Sequence, residues 1–90
     1  MKFEYNLDKS HSNLKKHGID FIDAQKLWSD DEAITIKAKS DTEDRFAFIA
    51  IYEKKYWVAF FTYRSEKIRL ISVRRARENE KRIYDDSRRA

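Results

Sequence analysis

The sequence predicts an α+β domain, an antiparallel β-sheet packed by two N-terminal helices and one C-terminal helix in the order β-α-α-β-β-β-β-α. Three observations carry that prediction: apolar residues recur at helical spacing as far as Trp28, the period becomes two from Ala33 onward, and helical spacing returns at Ala76. Runs of strands gathered between helices point to helices laid on one face of a sheet.

Taken in order, Phe3-Glu4-Tyr5 alternates as a short strand, and Asn6 with Asp8 offers caps for a helix over Leu7 to His17. Leu7, Leu14 and His17 fall on one side of that helix, the expected packing side. Gly18, the only glycine, follows where a helix ends in the left-handed conformation. Asp20 caps a second helix, whose Phe21, Ala24, Leu27 and Trp28 form a narrow apolar stripe. Residues Ala33 to Lys39, Arg45 to Tyr52, Tyr56 to Arg64 and Lys67 to Val73 are rich in β-branched and aromatic residues, with charged turns such as Glu53-Lys54-Lys55 and Ser65-Glu66 between them. They read as a four-strand meander. Ala76, Glu80, Ile83 and Tyr84 then mark a last helix to Asp86. The expected domain is 1–86, with 87–90 a loose tail.

A length of 90 residues allows one compact domain and no second. A charged fraction of 40% would suit a disordered chain, but aromatics reach 14% and there is one Gly and no Pro, so the chain is read as folded. With no cysteine, disulfides, zinc-thiolate sites and thiol nucleophiles are excluded. No apolar run approaches the roughly 20 residues that cross a bilayer, and the start MKFEYNLDKS lacks the apolar core of a signal peptide. A cytoplasmic protein is expected.

The charge is segregated. Residues 1–44 hold seven Lys against ten Asp/Glu, whereas residues 45–90 hold thirteen Lys/Arg against six, including all nine arginines. Guanidinium groups bind phosphate or carboxylate through a planar fork, so the second half suits RNA phosphate or an acidic protein. A merely solvated basic face is the plainer alternative.

Within that half, Thr62-Tyr63-Arg64 ends one strand, and Ile68-Arg69-Leu70-Ile71-Ser72-Val73-Arg74-Arg75-Ala76 follows a tight turn. Arg64 and Arg69 should lie near each other across the hairpin. In a regular strand Arg69 and Arg74 would point to opposite faces. His17 and the Glu43-Asp44-Arg45 segment complete the candidates. An imidazole titrates near neutrality and suits acid or base work, though for a lone histidine a polar helix cap is the more usual role. Glu43 beside Arg45 is a usable base or an ordinary surface ion pair. No Walker loop, dinucleotide fingerprint, H-E-x-x-H helix or EF-hand loop occurs, so neither a metal nor a cofactor is expected. Arginines, a carboxylate and a histidine suffice for RNA cleavage by its own 2′-hydroxyl, which needs a base, an acid and cations on the phosphate. A non-enzymatic basic module for nucleic acid or an acidic partner is the alternative function.

Across nearly the whole chain the sequence resembles the BrnT toxins of bacterial toxin–antitoxin systems. The motifs are Phe3-Glu4-Tyr5-Asn6, Asn13-Leu14-Lys15-Lys16-His17-Gly18-Ile19-x-Phe21, Glu43-x-Arg45, Thr62-x-Arg64, Ile68-Arg69-x-Ile71-Ser72-x-Arg74-x-Ala76, Glu80 and Tyr84. The family commonly has Trp-Asp where this chain has Tyr5-Asn6, and often glycine where it has Ala50. The resemblance implies a RelE-like fold and metal-independent endoribonuclease activity that inhibits translation and growth. It also implies neutralisation by a small BrnA-like antitoxin, a ribbon-helix-helix protein that alone brings the complex to DNA. Carried over, the roles place Arg64, Arg69 and Arg74 on the scissile phosphate with Arg45 helping. Lys15, Lys16 and Arg75 lie along the RNA path, and His17 and Glu43 transfer protons.

Overall fold

The computed structural model of the chain describes residues 1–89. Strand β1 (Phe3–Glu4) leads to helix α1 (Leu7–His17) and helix α2 (Phe21–Ala24), which runs on as a 3-10 turn, Gln25–Ser29. Strands β2 (Ile34–Ala38), β3 (Arg45–Tyr52), β4 (Lys55–Arg64) and β5 (Lys67–Arg75) follow, then helix α3 (Glu78–Arg88). The expected element order is present. The sheet order is β1-β5-β4-β3-β2, with β2 to β5 antiparallel and β1 parallel to β5, so the sheet is mixed rather than wholly antiparallel. Pairing Phe3 with Ile68 and Glu4 with Arg69 brings the start of the chain against its second half. No helix among the described residues is long and apolar enough to cross a membrane.

Local chemistry sets the helix ends. The Asn6 side chain accepts the Lys9 N–H at 3.0 Å, and Gly18, at φ 77°, closes α1 by donating its N–H to the Leu14 carbonyl. The Asp20 carboxylate accepts the Asp23 N–H at 2.8 Å. The apolar residues of the second helix sit three apart at Phe21, Ala24 and Leu27, a spacing that three residues per turn keeps on one line. The same spacing is kept across the 3-10 turn Gln25–Ser29, where Leu27 is fully buried.

Helix α1 packs the opposite way from expectation. Leu7 and Leu14 are 59% and 47% exposed, His17 is exposed too, and the buried side chains are Ser10 and Asn13. These polar groups are buried because each is satisfied. The Ser10 hydroxyl accepts the Phe21 N–H at 2.9 Å. Asn13 donates to the carbonyls of Ile19 and Val73 at 2.8 and 2.9 Å and accepts the Val73 N–H at 3.0 Å. Beyond two-residue β1, the edge of β5 would otherwise be open, and Asn13 supplies the partner it lacks.

The helices occupy both faces of the sheet, not one. Phe48, Ala50, Trp57, Ala59, Phe61, Ile68, Leu70 and Val73 pack with Phe21, Ala24 and Leu27, whereas Ala47, Ile49 and Val58 pack with Tyr84 on the other side. The unbroken apolar run of β3 from Phe46 to Tyr52 fits a strand covered on both faces. Helix α3 also continues past Asp86 through Ser87 and Arg88, and Arg88 Nε donates to Glu32 at 2.6 Å, so the expected loose tail starts inside an anchored helix. Ala90 lies outside the described residues. The β3–β4 and β4–β5 turns have two residues each, with positive φ at Glu53 and Lys54 and at Ser65 and Glu66, the turns whose twist matches the strands they join.

Candidate functional site

The α3 side of the sheet carries the arginines. Pairs Phe60–Ser72 and Phe61–Leu70 leave Ile71 as an extra residue, a bulge that reverses the facing of β5 at its middle. Ile68 and Leu70 before it, and Val73 after it, all belong to the core under α1 and α2. Arg69, Ser72 and Arg74 accordingly share the opposite face, opposite Thr62, Phe60 and Val58. Alternation along β4 adds Arg64, and Arg45 stands beside Thr62, one residue beyond the Phe46–Phe61 pair. The bulge removes the objection that a regular strand would raise.

Carboxylates hold these guanidiniums. Glu4, on β1 beside Arg69, accepts from Arg69 Nη1 at 2.9 Å, and Arg64 Nη1 lies 3.8 Å from the same Glu4 Oε2. Arg64 itself is loosely held, its side chain 63% exposed. Arg45 Nε is 3.4 Å from Glu43 Oε1 but makes no hydrogen bond, the one buried side-chain nitrogen or oxygen without a partner among the described residues. Thr62, buried between the flanking strands, donates its hydroxyl to the Asp44 carbonyl at 2.7 Å and fixes the start of β3.

Arg74 is differently placed. Its two terminal nitrogens fork onto both Glu80 oxygens at 2.8 Å, and its guanidinium carbon lies 5.1 Å from the Phe60 ring centre. Glu80 Oε1 also accepts the Arg77 N–H at 2.7 Å, closing the first turn of α3. The Arg74 fork lowers the Glu80 carboxyl below its ordinary pKa, burial opposing and the Arg77 N–H assisting. Arg74 therefore joins sheet to helix as well as lying on the arginine face.

The remaining candidates are apart. Arg75 faces the other way, over the Trp57 ring at 5.5 Å. Lys15, Lys16 and His17 are exposed at the end of α1, and Gly18 beside them lines a cleft with Lys55 and Trp57. Five residues of β4, about 17 Å, separate Trp57 from Thr62, beside which Arg45 stands. The structure thus does not bring His17 to Glu43 or to the arginine face.

At the far end of the same face, burial opposes ionisation of Asp30, but the Ile51 N–H at 2.8 Å, the Tyr84 hydroxyl at 2.7 Å and the Glu32 N–H at 3.0 Å outweigh it and lower its pKa. Tyr84, buried and bonded to Asp30, has its pKa raised. This cluster ties α3 to β3. Among the described residues no group of three or more metal-ligating side chains converges.

The residue that sequence reasoning missed is Glu4. Its alternation with Phe3 showed that the two point opposite ways, but its partner is 65 residues away and no local spacing could reveal it.

One family model, described as "Ribonuclease toxin, BrnT, of type II toxin-antitoxin system", matches residues 5–80. No curated protein matches the chain.

Proposed function

The chain belongs to the BrnT family of ribonuclease toxins of type II toxin–antitoxin systems, and from that premise we propose that the open half of its α3-side sheet face is a metal-independent endoribonuclease site. The observation that carries this reading is the convergence of Arg45, Arg64 and Arg69 around Thr62, clear of the contacts that α3 makes near Tyr56, Val58 and Arg74. Charge accumulates on phosphate oxygens as the 2′-oxygen attacks phosphorus, and fixed guanidiniums stabilise that charge without reorganising. Arg64, the most exposed of the three, makes the first phosphate contact; Arg69 and Arg45 flank it. Arg74 sets the geometry from the Glu80 end. Lys15, Lys16 and Arg75 lie too far round the molecule for the scissile phosphate and serve a longer RNA path.

The fold is read as RelE-like, the chain through the end of α3 forming one catalytic unit that acts in the cytoplasm and halts translation and growth. An antitoxin of ribbon-helix-helix type, itself the DNA-binding partner, neutralises it by laying carboxylates over the same arginines. Conditional expression tests this reading. Growth should stop and cellular RNA fragment when the chain is induced alone, and co-expressed antitoxin should reverse both. Continued growth with intact RNA at high expression would remove the proposal.

A further inference from the structure

RNA cleavage by a 2′-hydroxyl needs a group to take the hydroxyl proton, and His17 stands away from the arginine face. On the premise that this face is the nuclease site, we propose that Glu4 is the general base. Strand β1 exists as two residues whose register sets Glu4 directly beside Arg69. Both guanidinium contacts fall on one oxygen, Oε2, from Arg69 at 2.9 Å and from Arg64 at 3.8 Å. Oε1 takes part in no hydrogen bond among the described residues, and the side chain is 27% exposed. The carboxylate is anchored through one oxygen and open through the other.

The other carboxylates near this face are less suited. Glu80 has both oxygens engaged by Arg74 and one also by Arg77. Asp30 receives three donors at the α3 end of the sheet. Glu43 lies before β3, three strand spacings or about 14 Å from β1. Among the described residues Glu4 is the carboxylate that pairs with the exposed Arg64, at 3.8 Å, so a phosphate on the outward donors of Arg64 brings its neighbouring ribose hydroxyl to Oε1. The step then balances. Oε1 takes the 2′-hydroxyl proton, the 2′-oxygen bonds to phosphorus, and the bond from phosphorus to the 5′-oxygen breaks. The 5′-oxygen takes a proton from water, leaving a 2′,3′-cyclic phosphate. A neutral amide at this position would still accept from Arg69 but could not take the proton.

The test compares wild type with Glu4→Gln on a cleavable RNA and on its 2′-O-methyl analogue. The variant should bind the analogue as tightly or more tightly, because a negative charge has left the phosphate site, while kcat falls about 100-fold or more. A merely structural Glu4 would instead weaken binding or leave kcat unchanged, and either result overturns the inference. Should Gln fail to hold β1 in place, Glu4→Asp keeps the charge and withdraws the carboxylate by one methylene. It must likewise lose kcat and keep binding. A substrate with sulfur in place of the leaving 5′-oxygen needs no proton there; if it restores Glu4→Gln, Glu4 is the acid and not the base. Wild-type protein that cuts no RNA removes the nuclease reading itself, whereas a wild type and a Glu4→Gln variant that cut equally remove only the role of Glu4.

Discussion

Arg69 and Arg74 are five residues apart on one strand and face the same side of the sheet, because the bulge at Ile71 adds a residue between them. Their carboxylate partners differ in kind. Glu4 shares itself between Arg69 and a mostly exposed Arg64, while Glu80 closes both oxygens on Arg74 with its own side chain only 13% exposed.

Arg64 and Arg74 should therefore separate affinity from stability. Arg64→Ala is expected to weaken RNA binding and to reduce the slope of log affinity against log salt by about 0.7, one phosphate contact to a single strand. Its folding stability should change by less than about 0.5 kcal/mol. Arg74→Ala, which leaves the Glu80 carboxylate short of its donors, should cost about 1–3 kcal/mol of stability. Salt titrations of binding and urea unfolding of both variants check the contrast.

The Glu80 contribution should depend on pH with a definite sign. Its folded pKa is lowered, so the stabilisation is present above the unfolded value of about 4.3 and disappears as pH falls through the lower folded value. Wild type should exceed Glu80→Gln in urea midpoint at pH 7, and the gap should close in acid. Asp30, also lowered, adds to acid lability in the same direction.

Asn13 should matter more than the leucine beside it. Asn13→Ala removes three hydrogen bonds that join α1 to Ile19 and Val73, at a cost of about 2–4 kcal/mol from the buried groups left unpaired. Leu14→Ala, on the exposed side, should stay within about 0.5 kcal/mol. Urea unfolding of the two variants tests the reversed packing of this helix.

That reversal shows where the sequence could be read and where it could not. Strand and helix order followed from periodicity because β-branched and aromatic runs change period sharply at Ala33 and Ala76. The inward side of α1 was misread because Ser10 and Asn13 are satisfied by the Phe21, Ile19 and Val73 backbone, groups that become neighbours only after folding. Helices on both faces were legible in principle from the unbroken apolar run Phe46 to Tyr52, which half-buried alternation does not produce. The parallel β1, the bulge at Ile71 and the meeting of Glu4 with Arg64 and Arg69 depend on long-range pairing and left no local mark. The nearness of Arg64 and Arg69 was legible from the hairpin they share, but the facing of Arg74, which the bulge reverses, and the placement of His17 were not.

Incubating the purified chain with RNA in EDTA tests the central claim most directly. The arginine face should yield fragments ending in 2′,3′-cyclic phosphate, with cleavage lost in Arg69→Ala. RNA that remains intact with clean folded protein, both with and without ribosomes, would contradict it.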